Sequence, residues 1–112
     1  MALGKSEIRT IKSSKDLEAS YEVCKKICID GKLNSKTDEK TEKGFELHFS
    51  EPMKWLSTNY PNNLKLIGEV FEGSVVIRLE AYSNGVSITQ GTNTANFLEN
   101  YASSLNAYLG GE

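Results

Sequence analysis

The chain has 112 residues, room for one domain with one core that needs no metal or disulfide to fold. Its 38% apolar and 25% charged residues make a globular rather than a disordered composition, and a net charge of −2 offers no bulk attraction to nucleic acid. No apolar run approaches the ~18 residues of a membrane span and no leader-like segment precedes the first element. A cytoplasmic protein is expected, unless a leader or anchor has been removed ahead of Met1.

Residues 7–12 carry Ile8, Thr10 and Ile11 and predict a short strand. Ser13 and Ser14 precede Asp16 in an acidic variant of the capping box. Leu17, Tyr21, Val23, Cys24, Ile27 and Cys28 then fall within about 160° of arc at 100° per residue. This predicts a helix over 15–30, with Glu18, Glu22, Lys25 and Lys26 outward and Gly31 as the left-handed residue that ends it. Residues 32–43 interleave lysines with acids and predict a solvated loop or hairpin tip. Phe45, Leu47 and Phe49 then alternate with Glu46 and His48, which predicts a half-buried strand. Ser50-Glu51-Pro52 reads as an N-cap and early-turn proline, so that Met53, Trp55 and Leu56 would sit on a short helical turn, with a loop over 59–63.

The second half predicts an antiparallel meander. Three β-rich runs, 64–71, 74–82 and 86–90, are separated by Glu72-Gly73 and by Asn84-Gly85. In the middle run Val75, Ile77, Leu79 and Ala81 form an apolar side, against a mixed side of Val76, Arg78, Glu80 and Tyr82. Thr92 or Thr94 is expected to cap the closing helix. There Phe97, Leu98, Tyr101, Ala102, Leu105, Tyr108 and Leu109 span an arc of about 140°, and Gly110-Gly111 ends the element. About sixteen helical residues reach ~24 Å, enough to cross four or five strands, so this helix is expected to be the principal lid. The predicted architecture is one α+β domain over 1–112. It has a mostly antiparallel sheet of four to five strands in the order β-α-β(β)-β-β-β-α, with both helices packed on one face. That element order resembles helix-grip folds, in which a curved sheet closes around a long C-terminal helix; the resemblance implies architecture only.

The catalytic menu is short. His48 sits mid-strand on the polar face, with no G-x-S-x-G elbow in the chain to supply a nucleophile, and reads as a surface residue. Cys24 and Cys28 stack on one helical face at a spacing that suits neither C-x-x-C nor a disulfide. They read as small buried hydrophobes, with no metal or cofactor expected. Glu69 and Glu80 are placed opposite each other across a hairpin near Arg78, as a cross-strand polar ladder. The junction Gly91, Thr92, Asn93, Thr94 joins a strand to the longest helix, and its backbone N–H groups make it the one candidate anion site.

Charge is unevenly placed: all 13 lysines and arginines lie at or before Arg78, so Asn96, Asn100, Ser103 and Asn106 with Glu99 leave the last helix's outer face almost uncharged. The function these features favour is a non-catalytic binding or protein-interaction domain. A small apolar ligand would lie between sheet and C-terminal helix, in a groove of Phe45, Phe49, Trp55, Val70, Ile77 and Tyr101. A protein partner or a second copy would use the open sheet face or the uncharged helix face. The alternative is a small enzyme using Glu69, Glu80, Tyr82 or His48 in the same groove. Nucleic acid is not an expected partner, because the basic residues are spread among acids rather than gathered in a stripe.

Overall fold

The computed structural model describes residues 5–52, 61–83 and 90–110, without the side chains of Lys5 and Ser6. Alternation of apolar and polar residues builds the sheet. β3 (Gly44–Ser50) turns Phe45, Leu47 and Phe49 to one side. β4 (Asn63–Phe71) sets Leu64, Leu66 and Gly68 opposite them, and β5 (Ser74–Ser83) continues the layer with Val75, Ile77, Leu79 and Ala81. β1 (Lys5–Ser13) and β2 (Asn34–Lys40) complete a five-stranded antiparallel sheet in the order β1-β5-β4-β3-β2. α1 (Leu17–Asp30) and α2 (Gln90–Leu109) share its apolar face: α1 lies over β3 and β4, α2 over β1 and β5, and the helices touch each other. The fold is α+β, in the order β-α-β-β-β-β-α.

Several local expectations are corrected. The charged stretch after α1 contains strand β2 rather than only a loop. β2 pairs with β3 from Asn34↔Ser50 to Lys40↔Phe45, with an irregularity between Ser35 and Thr37. Lysines and acids suit a sheet edge, where a charged outer strand discourages pairing with another chain. The strand beside β5 is β1, not a run over 86–90: Ile11 sits opposite Ile77 and Arg9 opposite Leu79. Gln90 already belongs to α2, and residues 84–89, with the expected Asn84-Gly85 turn, lie outside the described residues. The helical turn at Met53, Trp55 and Leu56 also lies outside them. Ser50 is not an N-cap but the last residue of β3, its hydroxyl 2.6 Å from the Asn63 Oδ1 it donates to. The sheet stays open, with β1 and β2 at its edges, so α2 covers half of it and α1 the other half.

Both ends of α1 follow from its sequence, though not through the expected residues. Asp16, rather than Ser13 or Ser14, is the N-cap, and its carboxylate accepts the Ala19 N–H at 2.8 Å. At the other end the left-handed residue is Lys32 (φ 67°), while Gly31 has φ −79°. Lys32 N–H donates to Ile29 C=O at 2.9 Å and Leu33 N–H to Cys28 C=O at 3.1 Å. This is a Schellman closure, with Leu33 and Cys28 both buried behind it. Gly31 instead gives the Tyr101 ring room: a Cβ there would meet the hydroxyl of that α2 residue and force the ring to shift. Ser14 instead serves α2, donating from both its N–H (2.9 Å) and its hydroxyl (2.7 Å) to Leu109 C=O.

The core lies between the sheet and the two helices. Leu98, Leu105 and Leu109 of α2 and Cys24 and Cys28 of α1 are fully enclosed with Phe49, Leu64, Leu66, Ile77 and Leu79. Burial raises both thiol pKa values, that of Cys28 to about 12. The Glu72-Gly73 turn joins β4 to β5 with φ values of 51° and 81°, the two positive values that a type I′ two-residue hairpin requires.

Candidate binding groove

Where α1 and α2 run side by side, the helical stripes are wider than the sheet alone fills. Val23 and Ile27 of α1 are only partly covered by the core. Tyr101 of α2 is half-buried against Phe97, ring centroids 5.0 Å apart, and Tyr108 is exposed rather than part of the core. These four, with Lys26, Asp30, Gly31, Asn100 and Ser104, line an open groove of about 450 Å³ with a mainly apolar surface. At its rim Lys26 Nζ meets Asp30 Oδ2 at 3.0 Å, one helical turn apart, and this bond raises the lysine's pKa. Desolvation pushes the Tyr101 phenol to about 12, so it is a neutral hydroxyl at physiological pH. The groove therefore offers an apolar floor, two tyrosine walls and one ion pair at its rim.

The six residues expected to hold an apolar ligand are not gathered into one pocket. Phe45, Phe49 and Ile77 are sealed in the core, and Val70, opposite Val75 near the hairpin tip, is half exposed. Trp55 lies outside the described residues, and Tyr101 alone lines the groove. The sequence pointed to Val23, Ile27 and Tyr108 only as core residues. The available signal was the width of the α1 stripe, because a helix resting on a sheet alone needs little more than about 100° of apolar arc.

Gly91, Thr92, Asn93 and Thr94 form the first turn of α2 instead of preceding it, so neither Thr92 nor Thr94 is its cap. Two of their side chains belong to a buried polar knot. Asn62 Nδ2 donates to Asn93 Oδ1 (2.8 Å) and to Glu51 Oε1 (3.2 Å), while the Asn62 N–H also donates to Glu51 Oε1 (2.9 Å). Thr94 Oγ1 donates to Asn62 Oδ1 (2.7 Å) and accepts from Gln90 Nε2 (3.3 Å). The knot ties the segment before β4 to the start of α2.

The groups of the enzyme alternative lie elsewhere. His48 Nε2 meets Glu46 Oε2 at 2.7 Å on the open sheet face, with Lys65 and Thr37 as its cross-strand neighbours. Glu69 is opposite Val76 and Glu80 opposite Lys65, so the two acids share a face without facing each other, and Arg78 lies 3.7 Å from Glu80. Tyr82 is opposite Asn63 at the end of β5. A second polar cluster joins α1 to β2. Tyr21 donates to Asp38 (2.6 Å), Lys25 pairs with Asp38 (2.9 Å) and Lys40 with Glu18 (2.8 Å), while the Tyr21 ring meets Phe45 edge-on at 5.6 Å. The Tyr21 hydrogen bond, then Lys25, hold the Asp38 carboxyl below its usual range.

Among the described residues no helix is long and apolar enough to cross a membrane. No family model matches the chain, and no curated protein matches it. Among solved structures it is similar to the vertebrate conserved region of human METTL16, with a TM-score of 0.54 over 90% of this chain and 98% of that one. At 9% identity that likeness is one of fold.

Proposed function

We propose that this domain is a non-catalytic interaction module that receives a large apolar side chain of a partner protein between α1 and α2. The observation that carries this reading is the pairing of a filled core with an open groove. The space between sheet and helices is occupied by fully enclosed side chains, whereas Val23, Ile27, Tyr101 and Tyr108 present apolar surface beside it. An aromatic or aliphatic anchor entering there would desolvate two tyrosines, the kind of central contact that dominates protein interfaces. The enzyme alternative has less support, because His48, Glu69, Glu80 and Tyr82 lie on the sheet face away from this groove.

Selection from a random peptide library on the intact domain tests the proposal. Enriched peptides should share a large apolar residue and should bind Tyr108→Ala and Ile27→Lys at least about tenfold more weakly, a loss of ~1.4 kcal/mol. Unchanged binding by both variants would place the contact elsewhere.

A further inference from the structure

We infer that β1 is a self-pairing edge, through which two copies of this chain join their sheets around a two-fold axis. Backbone direction, charge register and the surface of α2 support this pairing independently of the groove between the helices. The two-residue Glu72-Gly73 turn makes Phe71↔Ser74 a hydrogen-bonded pair. Alternation then directs the backbone groups of Ser74, Val76, Arg78 and Glu80 toward β4, and those of Val75, Ile77, Leu79 and Ala81 toward β1. Their partners Glu7, Arg9, Ile11 and Ser13 face inward, which leaves the N–H and C=O groups of Ile8, Thr10 and Lys12 directed outward, where no described strand pairs with them. The Ile8 C=O accepts there from Arg9 Nη1 of its own chain at 3.0 Å, an exposed bond that pairing replaces with a backbone one.

An antiparallel copy must match outward residues with outward residues, so only a few registers are open. Centring on Glu7 or Arg9 sets like charges opposite each other across the axis. Centring on Thr10 pairs Arg9 with Ile11 and leaves the charges unmatched. Centring on Ile8 places Glu7 opposite the second copy's Arg9 twice, and stacks Ile8, half exposed in the single chain, on its own copy. In the single chain Glu7 is partly exposed and Arg9 exposed, 4.0 Å apart, with Glu99 3.4 Å from Arg9, so the paired edge would gather these side chains into one network. The flank is compatible. A shallow groove between β1 and α2 is walled by Ala102, Ser103 and Asn106, and Glu99 is the one charge α2 brings to it. The β1 side of the groove adds Arg9 and Lys12, so two such flanks on the same side of the joined sheet bring both signs of charge rather than one.

Sedimentation of the full chain over a concentration series tests this, with three variants whose folding is checked by circular dichroism. Wild type should show a monomer–dimer equilibrium. Ile8→Pro removes one outward N–H, a change an edge strand tolerates, and should leave a folded monomer. Glu7→Arg and Arg9→Glu should each weaken pairing at least about tenfold by setting like charges opposite. Mixed together they should recover it, because each Arg then meets a Glu. A wild-type monomer up to roughly 1 mM overturns the inference. So does a dimer that Ile8→Pro leaves intact, or a mixture of the charge variants that stays monomeric.

Discussion

Leu105 and Gly31 show how differently single residues hold this fold. Leu105 has no exposed surface and sits where α2 meets the sheet, so Leu105→Ala should cost about 2–5 kcal/mol in urea unfolding. Gly31 contributes by having no side chain. Gly31→Ala should cost about 1–3 kcal/mol, because the new methyl group displaces the Tyr101 hydroxyl, and Tyr101→Phe in the same background should recover part of the loss. Leu105 was legible from helical periodicity. Gly31 was legible only as a helix terminator, because its real constraint comes from a residue seventy positions away that local sequence does not encode. Cys24 and Cys28 follow from the sequence in both position and chemistry, as buried free thiols. Their folded pKa values are raised above the ordinary 9.0, so the thiols stay protonated in the native state while unfolded ones ionise. The stability they contribute is therefore present below about pH 9 and declines as pH rises toward 12, by at most about 1.4 kcal/mol per unit per thiol. Denaturation midpoints of Cys28→Ala against wild type across that range should show the shallower slope in the variant.

At the scale of elements, alternation and helical periodicity found β3, β4, β5 and both helices, because each buries one face against the same core. They missed β2, whose inward residues Asp38 and Lys40 meet not apolar side chains but Tyr21, Lys25 and Glu18 of α1. A strand whose covered side is polar carries no hydrophobic signal. They also placed the wrong neighbour beside β5, since the pairing of β1 with β5 spans most of the chain and no local pattern records it. The ends of α2 depend likewise on distant partners, Asn62 at one end and Ser14 at the other. Thr94→Val would leave the buried Asn62 Oδ1 without its donor and should cost about 1–3 kcal/mol, read by thermal unfolding. Asp38→Asn at the partly exposed α1–β2 seam should cost no more than about 1 kcal/mol.

For the whole molecule, two helices sharing one face of an open sheet have a geometric consequence. Each helix must turn part of its apolar stripe toward the other, and the residues left at the seam become a groove instead of core. This explains why the expected ligand residues Phe45, Phe49 and Ile77 are sealed while Val23, Ile27 and Tyr108 line the open seam between the helices. The most direct measurement is methyl and amide NMR of the intact domain titrated with N-acetyl-tryptophanamide as a stand-in for an apolar anchor. Shifts should concentrate at Val23, Ile27, Gly31, Tyr101 and Ser104 while Leu64, Leu66 and Leu79 remain still. Shifts at those three leucines, with the helix seam silent, would contradict the account.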